Sequence, residues 1–271
     1  MVLSVDPGAR PEAAPKIRVV EATKVYETRA ARVPALDRFS VDVRPGEFLC
    51  ILGPSGCGKT TLLWAMAGLH ALTSGQVLLD AEPVRGPRPR EIGLIFQEAN
   101  LLPWRNLLQN IVFPFEIKRT TVDWTRIRSL LDATGLGGFE KGFPRELSGG
   151  MQQRASIVRA LAQDPSVLLM DEPFGALDAF TRDEMNLLLL RLWSESRKTV
   201  VFVTHNIAEA IFLADRVVVM TPRPGRLARI FDVGLPRPRK IEMTFEPGFI
   251  ALIQEIKAVV ESGGRHAVEV A

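Results

Sequence analysis

The stretch ILGPSGCGKTT, residues 51–61, sets three glycines, a proline and a single lysine behind an apolar run, 41–52, that polar residues interrupt. Within it GPSGCGKT, residues 53–60, satisfies the pattern G-x-x-x-x-G-K-[ST] and sits between a strand-like segment, 47–52, and a helical one, 60–69. That context makes the match a structural prediction: a strand delivers the chain to a loop, and the loop opens a helix. Glycines let backbone N–H groups point inward around a polyphosphate without Cβ collisions, and the helix offers its positive end to the same anion. Gly53, Pro54, Ser55, Gly56, Cys57 and Gly58 form the predicted cradle. Lys59 is placed to reach the β- and γ-phosphates, Thr60 to set its hydroxyl on Mg²⁺, and Thr61 to cap the loop or touch the α-phosphate.

Outward from this loop, strand-like runs at 17–26, 76–80, 92–96, 167–170, 199–204, 216–220 and 227–233 alternate with amphipathic stretches at 151–163, 179–195 and 206–214. The order predicts an α/β fold with a mostly parallel sheet covered by helices. Residues 101–146 have helical periods and no convincing strand, which predicts a helical subdomain inserted into the sheet protein. One more amphipathic helix is expected at 249–261, and residues 1–15, rich in Pro and Ala, read as a flexible leader with no signal pattern.

With 46% hydrophobic residues, a chain of 271 can bury a substantial core. Its longest apolar runs, 167–170 and 186–193, fall far short of the ~18 residues that cross a bilayer, so a cytoplasmic protein is expected. Cys50 and Cys57 suggest no disulfide framework and read as reduced thiols. A net charge of +3, from 34 basic and 31 acidic residues, is a weak argument for nucleic acid. Residues 221–240 concentrate Arg and Pro without interleaved aromatics and read as a stiff, solvated segment, with a phosphate or lipid headgroup contact as the alternative.

Two further motifs carry chemistry. VLLMDEP, residues 167–173, delivers two carboxylates at the C-terminal end of a strand, the edge where ligands gather in such sheets. Asp171 suits a Mg²⁺ held through water, and Glu172, one residue on, suits the polarisation of an attacking water. LSGGMQQR, residues 147–154, forms another anion cup from Ser148, Gly149 and Gly150 ahead of a helix. A chain with one phosphate loop needs no second for the same nucleotide, so the surplus cup points to a composite site.

These motifs, in this order over about 16–233, resemble the ATP-binding subunits of ABC transporters, and LSGGMQQR matches the signature of that family. The resemblance implies a RecA-like P-loop NTPase core with an N-terminal antiparallel β subdomain, and a helical subdomain at about 101–160. It implies an ATP-binding unit over 16–240 with a helical tail at 241–271, and a dimer in which Ser148, Gly149 and Gly150 close on the γ-phosphate held by the other subunit. It also implies that Tyr26 stacks on adenine, that Gln97 touches Mg²⁺ and the attacking water beside the membrane-subunit contact, and that His205 contacts the γ-phosphate. The loop 175–178 is expected to cross the dimer interface, but Gly175 stands where many relatives have serine, so no hydroxyl bond is expected there.

The expected activity is ATP hydrolysis, with Lys59, Glu172 and His205 as the catalytic groups and ATP and Mg²⁺ bound. The resemblance implies a second copy of the chain, two transmembrane permease subunits and a periplasmic or lipid-anchored solute-binding protein as partners, at the cytoplasmic face of the inner membrane, with no nucleic acid. LLPWRNLLQNI, DEPFGALD and MTPRPGR resemble the nitrate, sulfonate and taurine importers. The rival expectation is a soluble mechanochemical ATPase acting on DNA or ribosomes; the chain has neither a long heptad-bearing insertion nor a tandem cassette. A regulator that binds ATP but scarcely hydrolyses it is a third, against which Glu172 and His205 argue.

Overall fold

The computed structural model describes residues 14–27 and 31–268, so the expected leader lies outside the described residues except for Ala14 and Pro15. The elements are β1 (Ile17–Glu27), β2 (Arg32–Val43), β3 (Phe48–Leu52), α1 (Lys59–Met66), β4 (Ser74–Leu79), β5 (Glu82–Pro83) and β6 (Ile92–Ile95). They continue as α2 (Leu107–Lys118), α3 (Trp124–Ala133), α4 (Gly149–Leu161), β7 (Val167–Asp171), α5 (Ala179–Ser196) and β8 (Thr199–Thr204). The chain finishes with α6 (Ile207–Leu213), β9 (Arg216–Met220), β10 (Leu227–Asp232) and α7 (Pro247–Val268).

FLCIL makes β3 apolar throughout, and every residue of it is buried, as a strand must be when both faces of its sheet are covered. It lies inside a six-stranded sheet ordered β10-β9-β3-β8-β7-β6, in which only the β10–β9 pair is antiparallel. The period of two then divides the core. Phe48, Cys50 and Leu52 join Met170, Phe202 and residues of α4, α5, α6 and α7 on one face, whereas Leu49 and Ile51 join Leu169, Val201, Val218 and α1 on the other. That second face is closed by an antiparallel sheet ordered β2-β1-β4-β5, which supplies Ile17, Phe39 and Val77 to the same cluster.

The interval from 101 to 146 is helical, as expected. Asn106 and Gln109 form a reciprocal capping box on α2, and Asp123 caps α3 through the Arg126 N–H. Asn110 is fully buried; it accepts from the Leu102 N–H at 2.7 Å and donates to the Arg105 carbonyl at 3.0 Å, tying the loop before α2 to the helix. Leu107, Ile111, Ile127 and Leu131 make a separate small core with Ala155 and Val158 of α4. Because Ile157, Ala160 and Leu161 of the same helix belong to the main core, α4 carries the helical subdomain on the sheet.

Strand β2 is not announced by the sequence. Its pairing with β1 shifts register between Val19 and Ala22, between Ala22 and Lys24 and between Lys24 and Val25, and its buried residues alternate only at Phe39, Val41 and Val43, with Ala35 and Leu36 consecutive before them. The final helix runs longer than 249–261: Pro247 suits a first helical position, and the helix continues through Gly263 and Gly264. Among the described residues no helix is long and apolar enough to cross a membrane.

Candidate active site

Strand β3 ends at Leu52, and α1 begins at Lys59. Between them Gly58 takes a left-handed conformation, φ 105° and ψ 10°, that turns the chain into the helix without a side-chain cap. A Cβ there would lie 2.6 Å from the Ala35 carbonyl oxygen of β2, so the unannounced strand is one wall of the loop. Lys59 is 5% exposed, and its ammonium spans the loop, donating to the carbonyls of Gly53 at 2.8 Å and Pro54 at 3.2 Å. The first-turn N–H groups of α1 have no acceptor within the helix and face the loop's interior as an anion site.

Parallel pairing of β3 with β8 and of β8 with β7 brings the next strand ends to the same edge. There Thr60 donates from Oγ1 to Asp171 Oδ1 at 3.1 Å. Glu172 follows in a left-handed conformation, φ 43°, with its N–H bonded to the Val203 carbonyl at 2.9 Å. This turn separates the two carboxylates: Glu172 Oε1 is 3.7 Å from Lys59 Nζ, and its Oε2 is 2.7 Å from His205 Nδ1. Lys59, Asp171, Glu172 and His205 therefore converge, as the sequence predicts.

Burial pushes the Asp171 carboxyl above the usual aspartate range, and the Glu172 charge adds to that, against the Thr60 hydrogen bond and the Lys59 charge. A buried carboxylate beside a hydroxyl, with no cation paired to it, is the donor set that a hard divalent ion completes with phosphate oxygens and water. The residues present thus fit Mg²⁺. Among the described residues no cluster of three or more His, Cys, Asp or Glu could hold a metal alone, as expected where the substrate supplies most ligands.

Behind His205, Glu209 is 7% exposed; its Oε2 accepts from Thr204 Oγ1, and its Oε1 is buried without a partner. Burial raises its pKa above the usual glutamate range. A carboxyl with a raised folded pKa destabilises the fold while ionised, and this effect disappears as pH falls through that pKa. Glu209→Gln is therefore expected to raise stability near neutral pH by about 1 kcal/mol, with the gain shrinking on acidification. Urea unfolding of both chains across pH measures this; equal stability throughout would show the carboxylate to be satisfied as it stands.

The remaining predicted groups occupy three positions around this centre. Gln97 is exposed just after β6; a Cβ on Gly175 would lie 3.6 Å from its Nε2, so it borders the loop 175–178. Gln153 of α4 donates to the Phe96 carbonyl at 3.2 Å and anchors that corner, a role nothing in its sequence context signals. Tyr26 is half-buried; its hydroxyl is 3.4 Å from Thr61 Oγ1 and 3.0 Å from His70 Nδ1, a partner the sequence does not announce either. Ser148 caps α4 by accepting from the Met151 N–H at 3.3 Å; it and Gly149 are exposed, whereas Gly150 is buried against Thr181. Among the described residues no hydrogen bond joins this cup to the phosphate loop of the same chain.

The parallel sheet with a glycine loop opening α1 at its C-terminal edge defines a P-loop nucleoside-triphosphatase fold. Residues 36–175, just over half of the chain, match the ABC transporter family profile. The chain belongs to this family, whose ATP-binding subunits hydrolyse ATP. An ABC transporter ATP-binding protein of Methanocaldococcus jannaschii is 49% identical over 227 residues, covering 83% of this chain and 84% of that protein. The aliphatic sulfonates import ATP-binding protein SsuB of Bacillus cereus is 41% identical over 223 residues, covering 82% and 88%. A solved dimeric ATP-binding cassette in a post-hydrolysis state, bound to ADP and Pi, is 32% identical with a TM-score of 0.72, covering 81% of this chain and all of that one. ATP as the bound nucleotide and the N-terminal antiparallel sheet thus stand as the sequence predicts.

Proposed function

We propose that the chain drives an importer of small organic anions of the sulfonate type, at the cytoplasmic face of the membrane, through two separate permease subunits. A periplasmic or lipid-anchored protein delivers the solute. The importer reading is supported by the SsuB relative, whose name specifies aliphatic sulfonate import. The observation that carries the mechanism is the division of phosphate-binding groups within one chain: Lys59, Asp171, Glu172 and His205 gather at the phosphate loop, while the exposed Ser148 cup bonds to none of them.

Two copies arranged head to tail complete each other. Ser148, Gly149 and Gly150 of one copy cover the γ-phosphate held by residues 53–60 of the other, and the loop 175–178 lies along the seam. Lys59 swings from the Gly53 and Pro54 carbonyls to the β- and γ-phosphates, exchanging neutral acceptors for charged ones. Thr60, Asp171 and Gln97 would hold Mg²⁺, which when bound would supply charge neutralisation on the phosphate oxygens. Tyr26 stacks on adenine with its hydroxyl held by His70. Glu172 orients the attacking water in line, and His205, whose Nδ1 lies 2.7 Å from Glu172 Oε2, contacts the γ-phosphate.

Nucleotide then closes the dimer, and hydrolysis releases it, because each γ-phosphate contributes to both halves of its pocket. Light scattering after size exclusion tests this: the expected result is a dimer with a non-hydrolysable ATP analogue and Mg²⁺, a monomer with ADP, and no dimer in either state for Ser148→Arg. A monomer throughout would remove the composite site. ATPase stimulation by an alkanesulfonate in the reconstituted complex with permease and binding protein would identify the cargo class.

A further inference from the structure

Residues 221–240, where Arg and Pro concentrate, have no part in the nucleotide chemistry above. The structure packs the end of this segment against the C-terminal half of α5, leaving a cavity of about 450 Å³. Leu187, Leu190 and Trp193 line it, together with four arginines, Arg191, Arg197, Arg237 and Arg239, and no carboxylate is among its lining residues. Four guanidinium groups around one cavity repel each other, and a fold holds such a cluster at a cost unless counter-charge enters it.

Among the described residues, Arg237 is the one of the four that pairs with a carboxylate, donating to Asp215 Oδ1 at 2.8 Å. Arg239 is 5% exposed; its Nη1 donates to the carbonyls of Ile211 and Phe212 at 2.9 and 2.8 Å, and its buried Nε has no partner. Burial and the neighbouring Arg237 charge pull its pKa down to about 10, against the opposing charge of Asp215. Arg191 donates to the Ala133 carbonyl, and Arg197 lies over the Trp193 ring at 4.8 Å; no described carboxylate forms an ion pair with either. Trp193 is fixed in turn, its indole N–H donating to the Lys198 carbonyl at 2.8 Å.

We propose that this cavity binds a small amphipathic anion, an alkyl or aryl sulfonate, carboxylate or phosphate monoester. Its head is held by Arg191, Arg197 and Arg239, and its apolar body rests on Leu187 and Leu190; Trp193, 3% exposed, carries the Arg197 and Arg237 guanidinium groups over its ring at 4.8 and 4.3 Å and fixes their positions. The volume falls within the roughly 300–1,000 Å³ of small-molecule pockets, which join an apolar lining to a few convergent polar groups. The forked N–H donors of guanidinium groups match paired oxygens on such heads. The apolar lining separates the site from one for inorganic anions, and a half-open cleft suits a free molecule better than a flat membrane surface.

Isothermal titration calorimetry on the full chain with ADP bound tests the proposal, with hexane-1-sulfonate, inorganic sulfate and hexylamine as probes. Hexanesulfonate is expected to bind one per chain, sulfate about tenfold more weakly because the apolar seat stays empty, and hexylammonium not at all. The pair Arg191→Gln and Arg197→Gly is expected to weaken hexanesulfonate about tenfold; glycine suits the left-handed φ of 46° at position 197. Ser194→Phe, which fills the cavity and keeps every charge, is expected to abolish binding. Unchanged ADP affinity reports that each variant is folded. The proposal fails if hexanesulfonate gives no heat up to about 10 mM, if both variants bind it like the parent chain, or if sulfate binds equally well. It fails also if only phosphatidylglycerol vesicles bind, which would assign the arginines to a lipid surface.

Discussion

Glu172→Gln is expected to bind ATP at least as tightly as the parent chain, to lose about 100-fold or more in turnover, and to persist as an ATP-loaded dimer. The substitution keeps the size and one acceptor oxygen, so contact with His205 Nδ1, now 2.7 Å from the carboxylate, survives. What disappears is the negative charge, which does two opposed things. In the proposed mechanism it aligns and polarises the water that attacks the γ-phosphate, so its loss removes stabilisation present only in the transition state. It also sits 3.7 Å from Lys59 Nζ, where it competes with the triphosphate for the ammonium and repels the incoming polyanion. Binding therefore holds or improves while chemistry stops. Steady-state ATPase assays beside nucleotide titration separate the two terms. Turnover within about threefold of the parent would transfer the water-orienting role elsewhere. Glu209 is poorly placed to take it, being buried behind Thr204.

The candidate phosphate-site residues were legible in the sequence because their chemistry fixes their type and spacing. A phosphate loop needs glycine, lysine and hydroxyl at set intervals, and a strand end needs its two carboxylates adjacent, whatever surrounds them. Residues that hold those groups in place were not legible. Gln153 on the Phe96 carbonyl, His70 on the Tyr26 hydroxyl and Ala35 against Gly58 are defined by contacts between distant segments, and each alone is an ordinary residue of its element. The central strands β3, β7 and β8 read clearly because burial on both faces makes them uninterrupted apolar runs. Strand β2 did not, because its bulges break the period of two over its first half and leave only Phe39, Val41 and Val43 in alternation. The Arg-rich segment after β9 was read by composition as a solvated surface; Arg239 is instead buried against the end of α6.

The second large effect falls on such a contact. Gly58→Ala requires alanine at φ 105°, outside the regions open to L-residues, a strain of about 1–3 kcal/mol. It also drives a methyl group to 2.6 Å from the Ala35 carbonyl oxygen. That oxygen cannot simply withdraw, because it accepts the Gly225 N–H at 2.9 Å, while the Gly225 carbonyl accepts the Asp37 N–H at 3.1 Å. Gly225 is pinned in its turn, since a Cβ there would meet the Cys57 carbonyl oxygen at 2.2 Å. Three chain segments are thus packed backbone to backbone under the phosphate loop, and the added methyl must displace the loop itself. Gly56 is the internal control: its φ of 74° carries a similar dihedral penalty, but a Cβ there meets nothing within 4 Å. Gly56→Ala is expected to lower stability by about 1 kcal/mol, and Gly58→Ala by about 3 kcal/mol, a fall in Tm of roughly 6–12 °C. Because the displaced amides are those proposed to receive the phosphates, ATP affinity should fall about tenfold or more in Gly58→Ala alone. Scanning calorimetry and nucleotide titration of the two variants decide it: equal losses would mean that strain of the dihedral, and not the contact with β2, fixes glycine at position 58.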